Sequence, residues 1–86
     1  MKYDPDATYH ILVKYAGAPD DAMDRRAFAV AHRNGCEEYR FMGRLGFGGK
    51  YRSKTNTVDC YPEDMTPERR TIIDATNAAL NGVTHA

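Results

Sequence analysis

Apolar residues occupy every second position from Tyr9 to Tyr15, and most of them favour extended structure. This period of two predicts a first β-strand. Leu12 makes its second face partly apolar as well, so we predict that the strand is central in its sheet. Residues 1–8 are predicted to be a loose lead-in, because the sequence Asp-Pro-Asp at positions 4–6 favours a turn.

A first helix is predicted after Gly17, which ends the strand. Pro19 is tolerated in a first helical turn, and the two aspartates that follow it favour the positive end of the helix dipole. The helix is predicted to run to about Asn34, with Gly35 as a left-handed stop. Its core face is predicted to comprise Met23, Ala27, Val30 and Ala31, which follow the spacing i, i+4, i+7 and i+8. Phe28 lies on the flank of this face.

A second helix is predicted from Thr66, a capping residue, and Pro67, which suits the first helical position. It runs to about Asn81, and residues 83–86 are predicted to be a short tail. Its core face is predicted to comprise Ile72, Ile73, Thr76, Ala79 and Leu80.

Between the helices, the stretch Arg40–Lys54 is basic and rich in glycine, and we interpret it as a β-hairpin. Its parity is sharp. The odd positions carry Tyr39, Phe41, Leu45 and Phe47, whereas the even positions carry Arg40, Met42 and Arg44. One face of the hairpin is therefore predicted to be aromatic, and the other is predicted to be basic.

The length of the hairpin loop decides which residues face each other. A two-residue turn at Gly48 and Gly49 would place Leu45 opposite Arg52 and mix charge into the apolar face. A three-residue loop over 47–49, with Gly49 at positive φ, places Arg44 opposite Arg52 and Leu45 opposite Tyr51. We predict the three-residue loop, because the five basic side chains of the hairpin then share one face. These are Arg40, Arg44, Lys50, Arg52 and Lys54.

The apolar parity changes after the polar segment 55–57, since Val58 and Cys60 are even. We predict a bulge near Asn56, and the alternative is a second turn that leads to a short fourth strand over 57–61. The predicted fold class is α+β: a two-layer sandwich of order β-α-β-β-α, with an antiparallel three-stranded sheet and two helices on one face.

Composition adds limits to this picture. At 86 residues the chain is predicted to be one domain, 1–86. Its 42% hydrophobic and 28% charged residues are ordinary for a soluble protein, and no apolar run approaches the roughly 18 residues of a membrane span. The N-terminal residues do not resemble a secretory signal, so we predict a cytoplasmic location and no membrane partner. Two cysteines are then expected to stay reduced.

No catalytic, metal-binding or cofactor-binding motif is predicted. The run Gly46–Lys50 lacks the pattern of a phosphate-binding loop and no helix follows it, so turn geometry explains its glycines better. The spacing of a zinc site or of an activated thiol is absent from the set His32, Cys36 and Cys60 with His10 or His85, because Gly35 interrupts the helix and the sequence has no Cys-x-x-Cys motif.

The formal net charge of zero removes the general electrostatic case for binding nucleic acid, but the charges are segregated along the chain. The candidate partner-binding residues lie in the hairpin: Arg40, Met42, Arg44, Lys50, Arg52 and Lys54. They predict a small non-enzymatic binding protein that docks a basic hairpin face on an acidic protein surface. Direct contact with nucleic-acid phosphates is the alternative. A third interpretation is a merely solvated face that Glu37 and Glu38 compensate.

We expect a macromolecular partner and not a small molecule, and the oligomeric state stays open. Compact single domains without catalytic motifs are typical of inhibitors of host nucleic-acid machinery that phages and other mobile elements encode. Anti-CRISPR proteins are an example, and the comparison is one of size and style alone.

Overall fold

The structure, a computed structural model, describes residues 4–35 and 37–82. These form an α+β fold with three helices and a three-stranded antiparallel sheet of order β1-β2-β3. The elements are α1 (Pro5–Ala16), α2 (Ala22–Arg33), β1 (Glu38–Met42), β2 (Gly48–Arg52), β3 (Thr57–Cys60), a 3₁₀ turn (Pro62–Asp64) and α3 (Pro67–Asn81). The predicted class and the three-stranded antiparallel sheet are confirmed, whereas the predicted element order is wrong.

The segment predicted as the first strand and its lead-in is helix α1. Asp4 caps it by accepting hydrogen bonds from the amides of Asp6 and Ala7, and Gly17 ends it in the left-handed conformation at a φ of 74°. Signals at both ends thus outweigh the strand preference of the interior, which is only a weak guide. The buried positions follow a helical spacing: Thr8, Tyr9, Ile11, Leu12, Val13 and Ala16.

Helix α2 begins three residues later than predicted, because Asp21 is its cap and accepts a hydrogen bond from the Asp24 amide at 2.8 Å. Gly35 does adopt the predicted positive φ, 75°. The predicted core face is wrong, since Phe28 is the buried residue and Met23 is 81% exposed. The Phe28 side is buried because the Phe28 ring packs against the rings of Tyr9, Tyr39 and Tyr51.

Helix α3 confirms its prediction. The Thr66 hydroxyl accepts a hydrogen bond from the Arg69 amide at 3.1 Å, and Pro67 occupies the first position. Ile73, Thr76 and Leu80 are buried, as the spacing predicted. Gly82 follows the helix at a φ of −79°, so this end does not use a left-handed glycine. The predicted tail, like Cys36, lies outside the described residues.

The predicted bulge near Asn56 is wrong, and the alternative of a second turn and a separate strand, β3, is correct. Asn56 has a φ of 53°, a value that asparagine tolerates better than most residues. Its side chain accepts a hydrogen bond from the Tyr51 hydroxyl at 2.7 Å and donates to the Leu80 carbonyl at 2.8 Å. These bonds join the turn to β2 and to α3, which explains why the chain reverses here.

The core is formed by the three helices and the sheet, to which β1 and β2 contribute odd-numbered residues. The Phe28 ring contacts three tyrosine rings, with centroid distances of 5.2 Å to Tyr9, 5.1 Å to Tyr39 and 5.5 Å to Tyr51. Val58 and Cys60 of β3 are also buried. Within the described residues, no helix is long and apolar enough to cross a membrane.

The stability of this core is expected to fall on mild acidification because of His32. Its ring lies 5.5 Å from the Phe28 ring and 6.3 Å from the Tyr51 ring, and burial lowers its pKa below the ordinary 6.5. Between the lowered pKa of the folded state and about 6.5, the unfolded chain binds more protons, so the free energy of unfolding decreases as the pH falls through this range.

Urea denaturation at a series of pH values from 8 to 5 measures this effect, with pH values chosen around the ordinary pKa of about 6.5. His32→Gln is expected to flatten the dependence. The exposed His10 provides the matched control, and His10→Gln is expected to keep the slope. An unchanged slope in His32→Gln would show that other groups cause the acid sensitivity.

Candidate functional site

The hairpin register differs from the predicted one. Tyr39 pairs with Tyr51, Arg40 with Lys50, and Met42 with Gly48, so the loop comprises the five residues 43–47. The predicted three-residue loop over 47–49 is wrong, and the pairs of Arg44 with Arg52 and of Leu45 with Tyr51 do not form. A five-residue loop is still odd, and it keeps the predicted separation of odd and even faces.

Contacts with α1 explain the longer loop. The Arg44 amide donates to the Gly17 carbonyl at 2.6 Å, and the Arg44 guanidinium donates to the carbonyls of Val13 at 3.0 Å and Ala18 at 3.3 Å. These carbonyls belong to the end of α1 and the residues after it, where intrahelical donors run out. Arg44 therefore holds the loop to the helix, and it is not part of the predicted binding face.

The two glycines predicted to form the turn are strand residues that make room for aromatic rings. A Cβ at Gly49 would lie 2.3 Å from Cζ of Phe41, so the Phe41 ring covers this glycine on the buried face. On the opposite face, the Tyr61 ring lies over Gly48, where a Cβ would be 3.4 Å from Cε2. Positive φ in the loop is supplied by Gly46, at 93°, and not by Gly49.

The even-numbered side of β1 and β2, together with the odd-numbered side of β3, forms the surface that we name the outer face. The strand register arranges it in three rows. The first row contains Glu38, Arg52 and Thr57, the second contains Arg40, Lys50 and Asp59, and the third contains Met42 and Gly48 with the Tyr61 ring. Two charged rows therefore adjoin one apolar row.

The charges in these rows largely compensate each other. The Glu38 carboxylate lies 3.2 Å from the Arg40 guanidinium, 3.9 Å from Lys50 Nζ and 3.5 Å from the Arg52 guanidinium. Asp59 faces Lys50 across the strand pair. With three cations and two carboxylates, the outer face has one excess positive charge. Exposed pairs of this kind stabilise a protein by about 1 kcal/mol at most.

The apolar row remains open to solvent. Met42 is 72% exposed and Tyr61 is 36% exposed. The ammonium of Lys50 lies 5.9 Å from the centroid of the Tyr61 ring, so the ring joins the apolar row to the charged ones. Gly48 has no side chain, which lets the Tyr61 ring lie over the strand at this position.

Four of the six predicted partner-binding residues come together on the outer face: Arg40, Met42, Lys50 and Arg52. Lys54 lies in the turn after β2, where its ammonium is 3.2 Å from the Glu37 carboxylate. Arg44 lies in the loop. Sequence reasoning missed Tyr61, although the even parity of Val58 and Cys60 was a signal: when those residues are buried, the odd residues 57, 59 and 61 lie opposite them.

A cleft of about 370 Å³ adjoins the outer face along β3. Its wall includes Lys50, Arg52 and Asp59 from the outer face, and Arg70 and Asn77 from α3. The Arg70 guanidinium is 3.8 Å from the Asp74 carboxylate. A partner that covers the outer face would therefore also find a concave, polar edge into which a side chain can project.

Cys60, whose thiol the sequence analysis considered as a reactive group, is buried in the structure. Cys60 is 6% exposed and its Sγ lies 3.9 Å from the Met65 sulfur. Burial, and then the carboxylates of Asp59 and Asp64, raise the pKa of Cys60 and favour the protonated thiol. Among residues 4–35 and 37–82, no three histidine, cysteine or acidic residues are grouped so that they could hold a metal ion.

Fold and site together define a small α+β protein with an exposed, mixed-charge sheet face. Comparison with protein-family models, curated proteins and solved structures finds no match to this chain.

Proposed function

We propose that this chain is a small non-enzymatic binding protein that docks the outer face of its sheet on an acidic surface of a larger protein. The observation that carries the proposal is the juxtaposition of exposed Met42 and Tyr61 with three cations. Arginine, tyrosine and methionine are enriched in protein interfaces, where aromatic side chains anchor the contact and guanidinium groups bind carboxylates.

Charge compensation favours a protein over a nucleic acid. A surface that tracks phosphates gains affinity from cations that release counterions, and Glu38 already neutralises part of that charge. The same arrangement suits a protein surface, because a carboxylate of the partner can replace Glu38 beside one of the arginines. In this proposal the three helices form one layer behind the sheet and leave the outer face accessible.

The second candidate is direct binding of single-stranded nucleic acid. It is favoured by the Tyr61 ring, which is exposed beside Lys50 and offers a surface on which a base can stack.

The protein-binding proposal would apply to one role in particular. This is a cytoplasmic inhibitor of host nucleic-acid machinery, of the type that mobile elements encode.

The test compares the wild type with Arg40→Gln/Arg52→Gln, which removes two positive charges from the outer face. Lys14→Gln/Arg33→Gln is the control, because it removes two exposed positive charges elsewhere. Each protein is immobilised and used to capture proteins from host extract, and the captured partner is then titrated. We expect the outer-face variant to bind at least about tenfold more weakly, a loss of about 1.4 kcal/mol, and the control to bind like the wild type.

Anisotropy titrations with single- and double-stranded oligonucleotides at several salt concentrations address the second candidate. The protein-binding proposal predicts no micromolar binding. Steeply salt-dependent binding that Arg40→Gln/Arg52→Gln and Tyr61→Ala both weaken would support the nucleic-acid candidate instead. Equal protein capture by both double variants would mean that the outer face is not the working surface.

A further inference from the structure

The cleft along β3 is lined from two sides, by the strands β2 and β3 and by helix α3. The Asn77 side chain fixes the helix there, since its Oδ1 accepts from the Val58 amide at 2.7 Å and its Nδ2 donates to the Val58 carbonyl at 3.0 Å. Arg70 precedes Asn77 by about two helical turns and therefore lies on the same side of α3. Helix α3 thus brings Arg70 into the cleft that Lys50 and Arg52 line.

The lining of this cleft is electropositive. Among the described residues, it contains the three cations Lys50, Arg52 and Arg70 and one carboxylate, that of Asp59. The Asp59 Oδ1 accepts a hydrogen bond from the Cys60 amide at 2.9 Å, so the backbone holds part of this carboxylate. The lining therefore has an excess of two positive charges, and a cleft with an excess of one sign attracts ligands of the opposite sign.

Two of these cations have unused hydrogen-bond donors. The Lys50 ammonium is 3.9 Å from the Glu38 carboxylate, and the Arg70 guanidinium is 3.8 Å from the Asp74 carboxylate. Both distances exceed the roughly 2.7–3.2 Å of a hydrogen bond, and neither side chain donates one to any residue in 4–35 or 37–82. The donors of Lys50 and Arg70 are consequently available to a ligand.

Lys50 is also the most buried of the three cations. Its side chain is only 22% exposed, although an ammonium is strongly hydrated in water. A cation that has lost much of its water gains more from an anion than an exposed cation does, because the Coulomb attraction is less screened. The Tyr61 ring, whose centroid is 5.9 Å from the ammonium, lies beside it and lines the same cleft.

We propose that the cleft binds the phosphate group of a phosphorylated serine, threonine or tyrosine side chain of the partner protein. This inference rests on the proposed function, in which a larger protein covers the outer face. A phosphate monoester carries about two negative charges at neutral pH and has three acceptor oxygens, so it matches the two excess positive charges and the donors of the three cations. Arginine guanidinium groups bind such oxygens in a bidentate manner. The cleft, at about 370 Å³, is large enough for the side chain.

The charge of the cleft distinguishes this ligand from other anions. A glutamate or aspartate carboxylate, or a phosphodiester in a nucleic-acid chain, carries one negative charge and would leave one positive charge of the lining unbalanced. The carbon atoms of a phosphorylated side chain find apolar neighbours in Pro62 and Ile73, which also line the cleft. A phosphorylated side chain therefore suits both the charged and the apolar parts of the lining.

Titrations followed by NMR spectroscopy test the site without the partner. The phosphate ligands are N-acetyl-phosphoserine amide and N-acetyl-phosphotyrosine amide, N-acetyl-glutamate amide provides a single charge, and adenosine 5′-monophosphate provides a phosphate on a small molecule. We expect the better phosphoamino acid to bind with a Kd of about 1 mM or below and to shift the amide signals of residues 57–61. It is expected to bind at least about tenfold more tightly than the glutamate amide, and no more weakly than the nucleotide.

Two variants with matched controls connect this binding to the cleft. Arg70→Gln removes a lining cation and is expected to weaken phosphoamino-acid binding at least about tenfold, whereas Arg26→Gln, on the exposed surface of α2, is expected to leave it unchanged. Asp59→Asn removes a lining carboxylate but keeps an oxygen for the Cys60 amide, and we expect it to strengthen binding about threefold. The exposed Asp6→Asn is its control. A gain of affinity cannot come from a loss of folding.

The captured partner provides the closing measurement. Treatment of the partner with a phosphatase is expected to weaken its binding to this chain at least about tenfold. A dephosphorylated partner that binds as before would overturn the cleft proposal and leave the proposed function intact. So would phosphoamino acids that bind no more tightly than the glutamate amide, or that Arg70→Gln binds as well as the wild type does, or a nucleotide that binds more tightly than either of them.

Failure of the proposed function gives a different result. In that case Arg40→Gln/Arg52→Gln captures proteins from host extract as well as the wild type does, while the phosphoamino acids still bind the cleft of the wild type. Such a result would exclude the outer face as the docking surface, and with it the partner as the source of the phosphate.

Discussion

Replacing Phe28 by alanine is expected to lower the free energy of unfolding by about 3–5 kcal/mol. The ring is 1% exposed and contacts tyrosines from α1, β1 and β2, so its removal leaves a cavity at the meeting point of three elements. Small domains have a total stability of about 5–15 kcal/mol, and this loss is a large part of it. Urea denaturation followed by circular dichroism measures the change.

The matched control is Tyr15→Ala, another aromatic residue in a helix. Tyr15 is 36% exposed, and its ring contacts only the Lys14 ammonium among the cations of the described residues, at 5.4 Å. We expect a loss of less than about 1 kcal/mol. Equal losses for the two variants would mean that Phe28 does not join the helices to the sheet.

Gly49→Ala is expected to destabilise the protein by about 1–3 kcal/mol, although alanine normally suits a strand no worse than glycine does. The reason is the Phe41 ring, three of whose atoms would lie 2.3, 2.6 and 2.8 Å from the new Cβ. The ring is 8% exposed, so it must move either into the packed core or out into solvent. The midpoint of urea denaturation reports the loss.

A double-mutant cycle with Phe41→Leu identifies the cause. A leucine leaves room above position 49, so Gly49→Ala is expected to cost much less in the Phe41→Leu background than in the wild type. Gly48→Ala is the positional control, because its nearest neighbour would be 3.4 Å away, and we expect a change within about 0.5 kcal/mol. Additive losses in the cycle would contradict the steric explanation.

Gly48 and Gly49 show the limits of predicting a turn from the local sequence pattern. Adjacent glycines in a basic ribbon favour a turn, and we predicted one there. The chain turns instead at 43–47, because Phe47 is buried and Arg44 bonds to carbonyls at the end of α1. A turn propensity acts within four residues, whereas these contacts join residues about thirty positions apart.

Helix α1 is a comparable case. The alternation from Tyr9 to Tyr15 matches a strand, and the same residues also place Tyr9, Leu12, Val13 and Ala16 on one side of a helix. A short apolar segment is compatible with both periods. The cap at Asp4 and the left-handed Gly17 favour the helix, and the contacts of α1 with the two other helices stabilise it.

By itself, the sequence determined the α+β class, helix α3 and the division of the hairpin strands into a buried aromatic face and an exposed charged face. Helix capping depends on a few neighbouring residues, and so does the alternation of aromatic and charged residues along the hairpin strands. Both are local properties of the sequence. Only the tertiary structure decided the register, the structural role of Arg44 and the position of Tyr61 over Gly48 on the outer face. Each of these depends on contacts between distant segments, whose free energy is absent until the core has formed.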